Sequence, residues 1–349
     1  MGKETINQAI LERSDELAEA LVALQYERQP DLAERYGPQG RGRCVEDACH
    51  HFAYLAEAVA VSSQDMFADY AQWLGLVLEK RGVEPGCLSE SFDCLLDVLR
   101  RELPPDAHAL LSPYVRAAQE RLARPVDSDS LLTAEAPHAA LARAYLNHLL
   151  AGDRHASSQL ILDAVEDGVS VRDVYLHVFQ PVQHEIGRLW QVNEISVAQE
   201  HYATAVTQLV MSRLYPHIFA TKRSGQALVA TCVSGELHEI GARMVADFFE
   251  MAGWDTFYLG ANTPTASIVQ TLLERGVGVL AVSATMSVHV SGVERLIAAL
   301  RASEARDVKV LVGGYPFNLV PGLWQRIGAD GYAANADAAI DVAGRLALS

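Results

Sequence analysis

Apolar positions change rhythm twice along the chain. Up to about residue 123 they recur every three to four residues, in Ile10–Leu24, Cys49–Val59, Met66–Leu78 and Leu88–Leu103. Gly82, Pro85-Gly86 and Pro104-Pro105 interrupt them, and no β-branched alternation appears. This pattern predicts an all-helical domain over 1–123. A polar stretch, Arg124–Ser130, then reads as a linker. Over 131–220 four amphipathic segments follow: Pro137–Ala151, closed by Gly152; Arg154–Asp167, closed by Gly168; a third from Ser170 to about Trp190; and a fourth from Ser196. Ser170 with Asp173, and Ser196 with Gln199, have the spacing of helix caps. Pro181 inside the third segment predicts a kink about one turn earlier. Short connections between amphipathic helices predict an antiparallel four-helix bundle.

From Gln226 short apolar runs alternate with helical stretches. The expected strands are Ala227–Val233, Thr256–Leu259, Val279–Ser283, Val308–Val312 and a short one near Gly331-Tyr332. The expected helices are Ile240–Met251, Pro264–Arg275, Val290–Ala302, Pro321–Ile327 and Ala336–Leu346. Five βα repeats predict an α/β domain over 226–349: an open, five-stranded, parallel, Rossmann-like (flavodoxin-like) sheet with helices on both faces. Ligands of such sheets bind at the carboxyl ends of the strands.

Composition narrows the function classes. At 349 residues the chain has room for two or three domains, and half its residues are apolar. No apolar run is long enough to span a bilayer, and the first residues carry acids throughout, with no signal-peptide core. Met1-Gly2 alone is a weak lipidation signal. The expectation is a cytoplasmic protein without a membrane partner. A net charge of −16 with no Lys/Arg cluster argues against a nucleic-acid partner. Five irregularly spaced cysteines do not form a disulfide framework. Cys44 and Cys49 with His50 and His51 fit no common zinc spacing, and small buried thiols on a helix are the simpler reading.

The loops after the strands carry the chemistry. The first reads Ser234-Gly235-Glu236-Leu237-His238-Glu239-Ile240-Gly241. It is neither a dinucleotide fingerprint nor a phosphate loop. A histidine two residues after a carboxylate can offer one ring nitrogen to a metal while the carboxylate holds the other. Gly241 lets the backbone approach a bulky ligand. The third strand ends Ser283-Ala284-Thr285, where Ser283 could extend a hydrogen-bond chain to the carboxylate. The fourth ends Gly313-Gly314, which again permits close approach.

Glu236-x-His238-x-x-Gly241, 41 residues, Ser283-x-Thr285, 27 residues and Gly313-Gly314 together resemble the cobalamin-binding signature Asp-x-His-x-x-Gly, Ser-x-Leu, Gly-Gly at matching spacings. The resemblance implies that the nucleotide tail of cobalamin leaves cobalt and inserts into the α/β domain. His238 then becomes the lower axial ligand of cobalt, Glu236 orients it, Ser283 supports Glu236, and the glycine pair flanks the tail. Leu237 belongs to the same loop. Two departures stand out: Glu236 is a methylene longer than Asp, and Thr285 replaces Leu.

In the bundle, Trp190, nine residues, then Glu200-His201 resembles the Trp-x9-Glu-His pattern of light-responsive cobalamin regulators. That implies adenosylcobalamin, its upper adenosyl group enclosed by Trp190 and hydrogen-bonded by Glu200 and His201. Bundle core and capping chemistry are the plain alternative. The regulators' histidine after the Trp is Gln191 here, so another upper ligand for a photoproduct, His177, His184 or His201, would have to substitute. The acidic helical front resembles that of photocobilins, which pair cobalamin with biliverdin. His50-His51-Phe52-Ala53-Tyr54-Leu55 and Phe67-Ala68-Asp69-Tyr70-Ala71-Gln72-Trp73 are candidates for a bilin pocket, and equally for a helical core.

Taken together, these resemblances imply a light-sensing adenosylcobalamin photoreceptor rather than an enzyme. Light would break the cobalt–carbon bond and change domain arrangement or the assembly of a homo-oligomer. With no output domain expected after Ser349, the readout would be oligomeric state or a partner protein. A corrinoid methyl carrier serving a methyltransferase, and a cobalamin-binding module without photochemistry, are the alternatives.

Overall fold

The computed structural model describes residues 3–126, 129–219 and 222–348. The chain forms two compact units. One comprises residues 1–126 with 286–294 and 318–327; the other comprises 127–285, 295–317 and 328–349.

The first unit is built on α1 (Lys3–Glu12), α2 (Ser14–Arg28), α3 (Leu32–Tyr36), α4 (Gly40–Ala60), α5 (Gln64–Lys80), α6 (Pro85–Glu102) and α7 (Pro105–Leu122). The proline pair read as a break also starts α7. Pro105 lies in its first turn, where a missing N–H removes no helical bond. Leu17, Leu21, Phe52, Phe67, Phe92 and Val115 fill the core. Within this unit the buried Glu57 accepts a 2.7 Å hydrogen bond from Ser291 Oγ, and Arg326 donates to the Val61 carbonyl at 2.9 Å. These bonds tie both short segments to α4 and its end.

The second unit opens with the helices of the bundle. They are α8 (Ala139–Leu150), α9 (Arg154–Glu166), α10 (Val171–Val174), α11 (Gln180–Gln191), α12 (Val197–Arg213) and the short α13 (Tyr215–Ile218). Both expected caps form: Ser170 accepts from the Asp173 N–H at 3.0 Å, and Ser196 with Gln199 makes a capping box. The kink expected from Pro181 appears as a π-helical turn, Tyr175–Phe179, that joins α10 to α11. A proline has no N–H to close the α ladder, and the chain widens just before it. Tyr145, Tyr175, Phe179, Val210 and Met211 form the bundle interior.

The α/β part has strands β1 (Ala227–Val233), β2 (Asp255–Thr263), β3 (Val279–Ser283), β4 (Lys309–Gly313) and β5 (Gly331–Tyr332), all parallel, in the order β2-β1-β3-β4-β5. Its helices are α14 (Ile240–Met251), α15 (Thr265–Arg275), α16 (Val290–Arg301), α17 (Tyr315–Leu319), α18 (Leu323–Arg326) and α19 (Ala336–Leu346). The fold class is thus the one expected, a helical N-terminal region with a Rossmann-like α/β domain. β2 runs longer than expected because its pairing with β1 shifts after Ala230 and again after Thr231. Gly260, with φ +82, lies in that irregular stretch. α17 was not expected from the sequence: five residues directly after the glycine pair carry little periodicity. Met244 and Phe248 of α14 join the bundle's own core, so bundle and sheet share packing. Strand order reverses between β1 and β3, which places a ligand crevice above their carboxyl ends.

Candidate functional site

The loop after β1 is held from three directions. Gly235 donates its N–H to Asn262 Oδ1 at 2.8 Å, and the Asn262 N–H donates to the Glu236 carbonyl at 2.9 Å. Asn262 takes a left-handed φ of +51, which asparagine tolerates better than most residues. The irregular end of β2 therefore clamps the start of the loop.

The Glu236 side chain is completely buried. Its Oε1 accepts from the His238 N–H at 2.9 Å and pairs with His238 Nδ1 at 2.7 Å; its Oε2 accepts from the Thr285 N–H at 2.8 Å. The bond from Glu236 raises the His238 pKa above the ordinary 6.5 against the opposing effect of burial, and Glu200 adds to the rise. With Nδ1 tied to a carboxylate, Nε2 is the nitrogen available to a metal. The His238 side chain remains 55% exposed, and Leu237 beside it is 70% exposed. A rigid, buried carboxylate under an open imidazole and an open apolar side chain fits a large, flat, metal-bearing ligand.

Both departures from the signature acquire a reason. Glu236 folds back on its own loop and reaches the imidazole at 2.7 Å despite the extra methylene. The Thr285 group that meets Glu236 is its backbone N–H, which any residue but proline supplies. The resemblance assigns support of Glu236 to Ser283, and a hydrogen bond on Oε2 comes from the Thr285 N–H. Ser283 ends β3 between Cys232 and Gly313, and a Cβ at Gly241 would stand 3.6 Å from its Oγ.

The glycine pair was read as room for a ligand. The structure gives a second reason within the chain itself. Gly314 has φ +105, and a Cβ there would overlap the Ala284 carbonyl oxygen. A Cβ at Gly313 would lie 3.0 Å from the Ala333 carbonyl oxygen. The pair lets the ends of β3, β4 and β5 close on one another.

On the bundle side, Trp190 lies in the last turn of α11, part-buried against the bundle core. Glu200 and His201 lie in the first turns of α12. Glu200 Oε2 pairs with His201 Nδ1 at 2.5 Å, and Thr204 Oγ1 donates to Glu200 Oε1 at 3.2 Å. His201 is exposed. His177 is occupied elsewhere, with Asp173 3.9 Å away and its ring centroid 6.1 Å from that of His138. It precedes Trp190 by 13 residues, roughly 20 Å of helix.

In the first unit the suspected pocket aromatics pack on one another. His51 is buried, pairs with Tyr70 Oη at 2.8 Å and meets Phe92 edge-on, while Tyr54 stacks on Tyr70 with centroids 3.8 Å apart. Among the described residues, no three His, Cys, Asp or Glu side chains gather as a metal site, so Cys44, Cys49, His50 and His51 form none. No described helix is long and apolar enough to cross a membrane.

Sequence reasoning missed Glu239, Tyr258, Asn262 and Gln208, which brace the His238 loop. Adjacency to His238 was the one signal for Glu239. The other three come together only through the fold.

Comparison with known proteins places these features. Residues 227–341 match the family described as B12 binding domain, and residues 141–215 match a second B12 binding domain family. Monomethylamine corrinoid protein 1 of Methanosarcina acetivorans is 31% identical over 194 residues, 53% of this chain and 88% of that one. A corrinoid protein of Desulfitobacterium hafniense is 26% identical over 204 residues, 57% of this chain and 93% of that one. The structure of the Methanosarcina barkeri monomethylamine corrinoid protein superposes with a TM-score of 0.54 at 22% identity, covering 61% of this chain and all of that one, a likeness of fold.

Proposed function

The chain belongs to the family of B12-binding corrinoid proteins, and from that membership we propose that it is a corrinoid carrier that delivers a methyl group, held on cobalt, to or from a partner methyltransferase. The observation that carries the reading is the Glu236–His238 pair, a buried carboxylate holding a half-exposed imidazole where the strand order reverses. The names of the relatives, which are monomethylamine corrinoid proteins, support a methyl cargo. When bound, cobalamin supplies a cobalt atom that accepts and releases a carbon ligand.

The chain's residues set the conditions for that chemistry. Glu236 fixes the His238 tautomer, leaving Nε2 as the lower-face donor. The Thr285 N–H and the His238 N–H both donate to Glu236 and hold its carboxylate in place. With cobalamin bound, the exposed Leu237 would offer apolar surface to the corrin, and the bare backbone at Gly241 and Gly313 would let a bulky nucleotide tail approach. Trp190, Glu200 and His201 would border the upper face of the bound cofactor.

A second reading is favoured by one specific feature, the Trp190…Glu200-His201 arrangement on the upper face. It supports an adenosylcobalamin light sensor, whose upper group leaves on illumination and releases those side chains. One experiment separates the two. Purified holoprotein carrying methyl- or adenosylcobalamin is followed by absorbance and size in the dark and under green light. Loss of methylcobalamin absorbance in the dark, on adding a methyltransferase and a thiol acceptor, supports the carrier. A light-driven spectral change accompanied by a change in size supports the sensor and overturns the carrier.

A further inference from the structure

Glu239 stands at the N-cap of α14, where a short polar side chain can accept a hydrogen bond from the first free N–H groups of the helix. It does not do so here. Its carboxylate turns away, and both oxygens are engaged by other elements. Oε1 accepts from Gln208 Nε2 at 2.8 Å; Oε2 accepts from Tyr258 Oη at 2.9 Å and the Ala261 N–H at 3.0 Å. The irregular register of β2 makes room for it, since a Cβ at Gly260 would stand 3.1 Å from Oε2. The Glu239 carboxylate thus bridges β2 and the bundle helix α12, one residue from His238.

The bundle partner matters because of where it lies. Glu200, Thr204 and Gln208 follow one another at four-residue intervals along α12, so they share one side of that helix. Gln208, two turns beyond Glu200, bonds to Glu239 beside His238. Arg243, one turn into α14, adds bonds to the Gln208 carbonyl at 3.1 Å and to Ser212 Oγ at 2.7 Å. The helix that carries the upper-face pair is thereby fastened to the loop that carries the lower-face histidine.

We propose that Glu239 is a positioning residue that, through Gln208, couples the seating of α12 to the order of the His238 loop. Displacement of α12 then loosens the lower ligand without touching it. The inference rests on the reading of His238 as that ligand.

Amide hydrogen exchange on the full chain, with and without hydroxocobalamin, tests it. Gln208→Leu and Glu239→Ala are expected to speed exchange over 234–241 about tenfold, the equivalent of one hydrogen bond to a charged group, with β1 and β3 unchanged. Tyr258→Phe, which alters volume least, should give a smaller rise in the same segment. Glu239→Gln should stay near wild type, because the Gln208 amide can turn its oxygen toward the new NH2 group. A Gln208→Leu loop that exchanges at the wild-type rate overturns the coupling, as does a Glu239→Gln variant as labile as Glu239→Ala. Paramagnetic resonance of the cobalt(II) form of the wild type separates the premises. Absence of nitrogen splitting from His238 removes the ligand reading, whatever the exchange data show. Nitrogen splitting with an unmoved loop removes only the coupling.

Discussion

Tyr175, in the π-helical turn of the bundle, donates a 2.8 Å hydrogen bond to Asp247 of α14, deep where bundle and sheet share a core. Burial pushes the Asp247 carboxyl up to about 6, with the Tyr175 bond only partly offsetting it. A raised carboxyl contributes stability that is full below its unfolded pKa, near 4, and lost as pH rises through about 6. Asp247→Asn removes that dependence. Between pH 4.5 and 7.5 the wild type should lose about 1–3 kcal/mol more than the variant. Equal pH slopes in thermal unfolding would count against a buried, raised Asp247.

His51 shows the opposite sign. Full burial lowers its pKa to about 3, so its neutral form is the folded one. Its contribution is complete above about pH 6.5 and drains away as pH falls toward 3. Replacing it with Phe should make unfolding between pH 4 and 6 less acid-sensitive than in the wild type. At pH 8 the variant should be less stable by about 1 kcal/mol, because Tyr70 loses its partner. Unchanged acid sensitivity would show that His51 is already solvated in the native state.

Gly314→Ala must put a Cβ against the Ala284 carbonyl at a φ of +105. We expect a loss of at least about 3 kcal/mol. Gly276→Ala, at a left-handed helix end with open space around it, should cost only about 1 kcal/mol. Chemical denaturation of both variants without cobalamin checks the pair. Similar costs would mean that Gly314 is kept for the ligand and not for the closure of the strands.

Trp190→Ala should leave overall cobalamin binding in place and weaken retention of a bulky upper group. Dark affinity for adenosylcobalamin should fall about tenfold, with hydroxocobalamin affected less, since only the adenosyl form carries a bulky upper group for Trp190 to enclose. Equal losses for both forms would return Trp190 to a packing role in the bundle.

Periodicity was enough for the architecture. β1, β3, α14 and α19 begin and end where their apolar runs do, and the caps at Ser170 and Ser196 announce their helices. The run of apolar residues could not reveal the length of β2, because the added residues form an irregular pairing whose purpose lies across the sheet in Asn262 and Glu239. The spacing of the loops made Glu236 and His238 legible, since their contact is local. Thr285 was read as a side chain, while the backbone N–H bonds to Glu236, and side-chain motifs do not encode that. The methyl cargo favoured by the relatives was the secondary reading of the sequence. The proposed upper face of Trp190, Glu200 and His201 was legible as a spacing only, because what it would hold is a property of the bound ligand.

The central claim, that His238 Nε2 is the lower ligand of cobalt, is tested most directly by paramagnetic resonance of the cobalt(II)-cobalamin complex made with 15N-histidine-labelled protein. With His238 on cobalt, the superhyperfine triplet of an axial 14N becomes a doublet on labelling and vanishes in His238→Ala. A triplet that persists in the labelled protein would place the cofactor's own base on cobalt and contradict it.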